Sequence, residues 1–178
     1  MFDFLKRQPS VVPITDEVWI SQNSKLEKCK RLLRKNDSYL FVFWFEESFR
    51  KFQTAFDVGE NSPNLAYARE LSAADLFNRT PIFCEHHPLR KTEQDLFLSL
   101  KFKEITVFSS LDEPLFQKFG GEKVAELMKQ LGVAGNSISH SWVSAAIRRA
   151  QEKIATKVSN EQRTSSSQEE WFSLNLPG

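Results

Sequence analysis

Glycine, cysteine and histidine are scarce in this sequence, and each shortage excludes a kind of site. The six glycines are scattered, and Gly120-Gly121 lacks the GxxxxGK[ST] pattern whose backbone amides and lysine hold nucleotide phosphates. The two cysteines, Cys29 and Cys84, are too few for a disulfide-rich secreted fold and lack metal-ligand spacing. We therefore expect no self-sufficient nucleotide hydrolase, and we interpret both cysteines as buried free thiols.

An excess of charge and a long hydrophobic run are also lacking. Lys and Arg number 24 against 23 Asp and Glu, so the net charge of +1 provides no global field for nucleic acid or an anionic membrane. No run approaches the roughly 18 apolar residues of a membrane span, and the N-terminus MFDFLKRQPS has no apolar leader core. We expect a soluble, cytoplasmic protein without a transmembrane segment and without a nucleic-acid partner.

Phenylalanine is abundant, with 16 in 178 residues, and hydrophobic residues make up 40% of the chain. This composition predicts one packed domain, which we place at residues 1–158. From residue 159 the polar run SNEQRTSSSQEE predicts a flexible tail over residues 159–178. Its end, WFSLNLPG, is too apolar for a solvating segment. A strand or turn that folds back onto the domain is favoured over a docking motif.

Short apolar runs alternate with helical patterns along most of the domain. We predict strands at residues 18–20, 39–44, 81–84 and 104–108, the first of them at a sheet edge. The unbroken run YLFVFW is typical of a strand buried on both faces. The pattern predicts an α/β fold: a three-layer, open, mainly parallel sheet with flanking helices, followed by C-terminal helices. Residues 59–80 show only a loop and a weak helical pattern.

Two helices carry clear apolar stripes. Phe45, Phe49, Phe52 and Phe56 recur at helical spacing, which indicates core packing. A short linker, VAGNS, precedes the second helix, at residues 138–154, which has one apolar face and a cap from Ser139 or Ser141.

Glu85-His86-His87 is the densest group of titratable residues, and it follows a predicted strand, where α/β proteins bind ligands. It lacks a third nearby metal ligand, and no nucleophile elbow accompanies Cys84 or Ser109. We therefore predict neither a catalytic nor a metal site. The pairs Arg90-Lys91 and Arg148-Arg149 could contact phosphates, although a solvated helix face is the favoured interpretation.

Residues 106–154 resemble the preprotein translocase ATPase SecA, where its second motor domain passes into the long scaffold helix. The order Leu131-Gly132, Ile138-Ser-His140, Trp142-Val143 and Ala146-Ile147 matches that family's helix ending Leu-Gly, its Ile-Glu-His-x-Trp-Val phrase and the helix that follows. The resemblance implies a RecA-like fold of the type found in the C-terminal motor domain of P-loop NTPases. Upstream it weakens, although Glu85-His86-His87 is similar to the family's Glu-Arg-His.

One departure from that family bears on catalysis. Between Arg90 and Glu104 the family has Gln-Leu-Arg-Gly-Arg-x-Gly-Arg-Gln-Gly, whose arginines face the nucleotide phosphates, whereas this chain has KTEQDLFLSLKFKE. Without those arginines and without a phosphate loop, ATP hydrolysis loses its electrostatic stabilisation. The resemblance therefore implies a free-standing, degenerate, non-enzymatic relative without a cofactor.

We expect such a relative to bind a protein, either a translocase component or a preprotein. The candidate partner-binding residues are Trp142, Arg148, Arg149, Trp171 and Phe172. An alternative is a nucleotide-binding module that contributes half of a composite ATP site to a partner chain, through Glu85, His86 and Arg90. A third interpretation is an unrelated small α/β enzyme that uses Glu85-His86-His87. The sequence does not indicate an oligomeric state.

Overall fold

The sheet is open, six-stranded and mostly parallel. The computed structural model describes residues 10–59, 61–132 and 137–176. Within these residues the strands are β1 (Ile14–Trp19), β2 (Tyr39–Phe43), β3 (Leu65–Tyr67), β4 (Thr80–Phe83), β5 (Ile105–Ser110) and β6 (Ser137–Ile138). Their order in the sheet is β3-β2-β4-β5-β1-β6, and only the pairing of β1 with β6 is antiparallel. The predicted α/β class and mainly parallel sheet are confirmed.

Helices cover both faces of the sheet and one end of it. They are α1 (Gln22–Lys35), α2 (Glu46–Phe56), α3 (Arg90–Ser99), α4 (Pro114–Lys118), α5 (Gly121–Gln130), α6 (Ser141–Ala155) and α7 (Gln168–Asn175). α1 and α2 pack on one face with the side chains of Phe41 and Phe43. α3 packs on the other face with Leu40 and Val42. Because alternate strand residues point to opposite faces, β2 is apolar throughout.

The phenylalanine stripe of α2 forms much of the first core layer. Phe49 and Phe52 are buried and meet Phe43 edge to face, with ring centroids 5.7 and 4.8 Å apart. Such pairs add about 0.5–1.5 kcal/mol each to simple burial. α2 ends at Phe56, and Asp57 adopts the left-handed conformation that terminates it. The core role predicted for the stripe is confirmed.

The first strand differs from the prediction. β1 begins at Ile14 rather than Val18, and it lies between β5 and β6 instead of at the edge. Asp16 and Glu17 interrupt its apolar pattern, which shortened the predicted strand. In the region predicted as a loop and weak helix, β3 and a 3-10 turn at Ala68–Glu70 are present. Each of these elements has three residues, which is too short for a hydrophobic period to be recognised in the sequence.

The predicted flexible tail is wrong over its second half. Residues Gln168–Asn175 form α7, and Ser167 caps this helix by accepting the backbone N–H of Glu170. The side chains of Trp171 and Phe172 are buried among α4, α5 and α6. Packing of the apolar end back onto the domain was the favoured interpretation, but its form is a helix rather than a strand or turn. Apolar burial offsets the entropic cost of ordering this segment.

Further details concern the chain ends and the approach to α6. His140, not a serine, caps α6, with Nδ1 accepting the backbone N–H of Trp142 at 3.2 Å. Most of the predicted linker, residues 133–136, lies outside the described residues, as do residues 1–9 of the N-terminal stretch. Among the described residues, no helix combines the length and the apolarity needed to cross a bilayer.

Candidate functional site

The carboxyl ends of the parallel strands carry a group of buried polar side chains, where α/β proteins usually bind ligands. The loop after β4 supplies Glu85, His86 and His87, all of them buried. Side chains from six other elements and loops meet them there. These are Asp16, Lys25, Glu93, Glu113, Gln151 and Gln168.

Glu85 holds the start of α2. Its Oε1 accepts the backbone N–H groups of Trp44 and Phe45, both at 3.0 Å, and its Oε2 lies 2.5 Å from Ser48 Oγ. The N-cap residue of α2, Phe45, has no side chain that can cap the helix. Glu85, 40 residues further along the chain, instead accepts the backbone N–H groups at this helix start. Burial raises the pKa of Glu85 to about 7, although its bond to Ser48 acts in the opposite direction. The hydrogen bonds of Glu85 therefore serve the fold, because they hold the start of α2 against the loop after β4.

Replacing Glu85 with glutamine should flatten the pH dependence of stability between pH 4.5 and 7. The folded carboxyl keeps its proton up to about pH 7, whereas the unfolded one loses it near 4.5. The raised pKa thus contributes stability that is complete below pH 4.5 and is lost as pH rises through 7. The difference is on the order of 3 kcal/mol. Glutamine cannot ionise, yet its amide oxygen still accepts both N–H groups.

The measurement is urea unfolding of wild type and variant across this pH range. Glu122→Gln, an exposed change on α5, is the matched control and should leave the wild-type curve unaltered. Parallel curves for wild type and the Glu85 variant would contradict the assignment of this slope to Glu85.

His86 lies between two carboxylates, and we name Asp16, His86 and Glu93 the charged triad. His86 Nε2 is 2.7 Å from Asp16 Oδ1, and its Nδ1 is 2.8 Å from Glu93 Oε1. Because carboxylate oxygens accept, both ring nitrogens must donate, which requires the imidazolium form. Burial alone would lower the pKa of His86, but Glu93 and Asp16 outweigh it and raise the pKa well above its ordinary value. The triad is an ion cluster within the fold.

His87 joins the C-terminal segment through aromatic contacts and a hydrogen bond. Its ring stacks on Phe45 at 6.0 Å and meets Trp171 edge to face at 5.6 Å. Its Nε2 lies 3.3 Å from Glu161 Oε1, which also accepts the indole N–H of Trp171 at 3.1 Å. The bond to His87 lowers the pKa of Glu161 to about 2. His87 thus links the end of β4 to the segment that contains α7.

Two glutamines from the C-terminal helices close the end of the sheet. Gln151 of α6 donates to the His87 carbonyl at 2.8 Å and to Glu93 Oε2 at 2.9 Å. Gln168 of α7 donates to the His86 carbonyl at 3.1 Å and accepts the backbone N–H of Leu115 at 2.7 Å. The Glu-His-His stretch is therefore covered by side chains of the same chain.

Lys25 was not among the functional residues identified from the sequence. It is 1% exposed, and its Nζ donates to the Cys84 carbonyl at 2.6 Å and to Glu113 Oε1. Burial would lower the pKa of Lys25, but the Glu113 carboxylate outweighs it and raises the pKa. Its position four residues before the buried Cys29 was the available signal, since that spacing places both on one helix face.

The residues predicted to bind a nucleotide, Glu85, His86 and Arg90, do not share one site. His86 and Arg90 line one cavity of about 350 Å³, together with Arg148 and Ser144 of α6, whereas Glu85 is engaged with the start of α2. Arg90 is half-buried at the first position of α3. Among the described residues, no group of three or more His, Cys, Asp or Glu is placed to hold a metal ion.

The residues predicted to contact a partner also separate. Trp171 and Phe172 are 0% and 3% exposed and form part of the core, so they are not available to a partner in this conformation. Trp142, by contrast, is 66% exposed. It lines a groove of about 420 Å³ between α5 and α6, which we name the α5/α6 groove. The groove is lined in part by Val124, Leu127, Trp142, Val143, Ala146 and Arg149.

The same end of the molecule exposes Leu131, which directly follows α5 and is 55% exposed. Large apolar side chains that remain in water beside a groove are typical of protein-binding surfaces. Tryptophan and arginine are also the residues most enriched among energetically dominant interface positions. The α5/α6 groove can therefore accommodate apolar side chains of another protein, and Lys123 and Arg149 are among its lining residues.

Comparison with known proteins finds similarity over a limited stretch, and no family model matches the chain. The protein translocase subunit SecA of Anaplasma marginale is 43% identical over 51 residues, which is 28% of this chain and 6% of that protein. SecA of Methylococcus capsulatus is 43% identical, and SecA of Treponema pallidum 41% identical, over stretches of the same length and the same shares. The matched stretch thus spans a small fraction of these relatives. A region of this chain is related to the protein translocase subunit SecA.

Proposed function

We propose that the protein is a non-catalytic, SecA-related module that binds another protein, in a process linked to preprotein translocation in the cytoplasm. The observation that carries this proposal is the α5/α6 groove with the exposed indole of Trp142. The groove lies within residues 106–154, the part of the chain that carries the resemblance to SecA. The proposed partner is a translocase component or a preprotein that inserts apolar side chains between the two helices.

The absence of catalysis is part of the proposal, and two observations support it. The sequence lacks both the phosphate-binding loop and the arginine-rich run of SecA. The strand ends, where a ligand would bind, are occupied by contacts within the chain, among them the charged triad and the bonds of Gln151 and Gln168. A ligand that bound directly to Glu85 or between the members of the charged triad would have to displace these contacts at a substantial cost in free energy.

Photocrosslinking from position 142 tests the groove. A photoreactive phenylalanine analogue at Trp142 should form a crosslink in cells to a translocase component or a preprotein, identified by mass spectrometry. The same analogue at Phe77, which is 77% exposed outside the groove, is the matched control and should not give that product. Equal products from both positions, or products unrelated to translocation, would overturn the proposal.

A second candidate is the composite nucleotide site, and the cavity beside the charged triad favours it. Arg90 and Arg148 line this cavity from different helices, and Ser141, Ser144 and Asp16 line it as well. Two arginines with hydroxyl donors suit a phosphate group. Calorimetric titration with Mg-ATP and Mg-ADP tests it: saturable heat that disappears in Arg90→Ala would establish the site, and no heat at millimolar nucleotide, with or without a partner identified by crosslinking, would exclude it.

A further inference from the structure

Helix α1 presents a basic outer face that the proposed function does not use. The buried residues of α1 are Lys25 and Cys29, whose side chains point into the molecule. The solvent side of the helix carries five cations and one carboxylate, that of Glu27. The five cations are Lys28, Lys30, Arg31, Arg34 and Lys35, and we name them the α1 basic face.

Most of these cations have no acidic partner. Lys30 pairs with Glu27 at 3.1 Å. Within the described part of the chain, no carboxylate lies within ion-pair distance of the other four. Arg31 and Lys35 are spaced at i and i+4, where like charges repel along a helix. The whole chain has a net charge of only +1, so this concentration of positive charge is a local feature that an anionic partner would neutralise.

A small groove lies next to the basic face. It occupies about 280 Å³ between α1 and α2, with Leu33, Ala55 and Phe56 beside Lys30 and Arg34. Apolar side chains therefore border two cationic groups. A partner that matches this surface needs carboxylates for the cations and an apolar side chain for the groove.

We propose that the α1 basic face and its groove bind an acidic amphipathic segment of a partner protein. A membrane surface fits less well, because the exposed large apolar residues of the described chain lie outside α1 and α2, which leaves nothing to insert into lipid. Nucleic acid also fits less well, because neither helix exposes a large aromatic ring for base stacking. This surface is separate from the α5/α6 groove, so the proposal does not depend on the proposed function.

Fluorescence anisotropy with a defined probe tests the proposal. The probe is a fluorescein-labelled peptide in which Glu and Leu recur at helical spacing, and a peptide with Gln in place of Glu is its neutral match. Wild-type protein should bind the acidic probe saturably, more weakly at higher salt, and should bind the neutral peptide poorly. The double variant Arg31→Glu/Arg34→Glu should bind the acidic probe about tenfold more weakly.

A matched charge reversal elsewhere on the protein distinguishes an effect of the α1 basic face from an effect of net charge. Lys129→Glu/Lys153→Glu changes the net charge equally at exposed positions of α5 and α6, and it should bind the probe like wild type. Circular dichroism spectra of both double variants establish that they fold. Equal loss in both, equal binding of the neutral peptide, or tighter binding of single-stranded DNA or phosphatidylglycerol vesicles than of the acidic peptide would overturn the proposal.

Discussion

Replacing His86 with alanine will lower the free energy of unfolding by about 3–5 kcal/mol, the range for breaking a buried ion cluster. His86 is 1% exposed, and its two partners, Asp16 and Glu93, are 4% and 0% exposed. Alanine removes the positive charge that lies between the two buried carboxylates, so it no longer offsets their desolvation and mutual repulsion. Wild type keeps the imidazolium above its ordinary pKa because Glu93 and Asp16 outweigh the effect of burial.

The sign of the pH dependence follows from that raised pKa. The stability contributed by His86 is complete below its unfolded pKa of 6.5 and is lost only as pH rises through the higher folded value. At pH 7 the wild-type protein therefore retains most of this contribution. The deficit of the alanine variant should shrink towards pH 4, because acid protonates the two carboxylates that have lost the imidazolium between them.

Urea unfolding at pH 7 measures the effect, and His140→Ala is the matched control. His140 is exposed, caps α6 and meets the Trp142 ring edge to face, so its loss should cost about 1 kcal/mol. The double variant His86→Ala/Glu93→Gln should regain part of the loss, because it buries one fewer charge. If His86→Ala cost no more than His140→Ala, the charged triad would not be an ion cluster in solution.

The elements that the sequence predicts well are those whose burial is local in the chain. The apolar run of β2 and the phenylalanine stripe of α2 each show their own period, so both were identified correctly. β1 was shortened because Asp16 points inward to His86, a residue 70 positions away. β6 has two residues and exists only because it pairs with β1.

The candidate site is less predictable because its partners are distant along the chain. Glu85-His86-His87 was identified as a dense titratable group, but its chemistry depends on what it meets. Asp16, Gln151 and Gln168 come from three separate elements. No local sequence pattern predicts that they contact the Glu-His-His stretch. The interpretation of His86 as a ligand for nucleotide rested on its position after a strand; its contacts are those of a buried ion cluster.

The C-terminal segment gives the second large effect: Trp171→Ala will destabilise the protein by about 3–5 kcal/mol, the range for truncating a buried aromatic. The Trp171 indole is 0% exposed, lies against the His87 ring and donates to Glu161. Alanine leaves a cavity beside His87 and deprives Glu161 of a donor.

Trp142→Ala is the matched control for this change. It removes an equally large side chain that is 66% exposed, so its effect on stability should stay within about 0.5 kcal/mol. Urea unfolding of both variants under one set of conditions is the measurement. A large loss for Trp171 alone would establish that residues after 159 belong to the folded domain. Equal, small losses would restore the flexible tail predicted from the polar run SNEQRTSSSQEE, and would make Trp171 and Phe172 available to a partner after all.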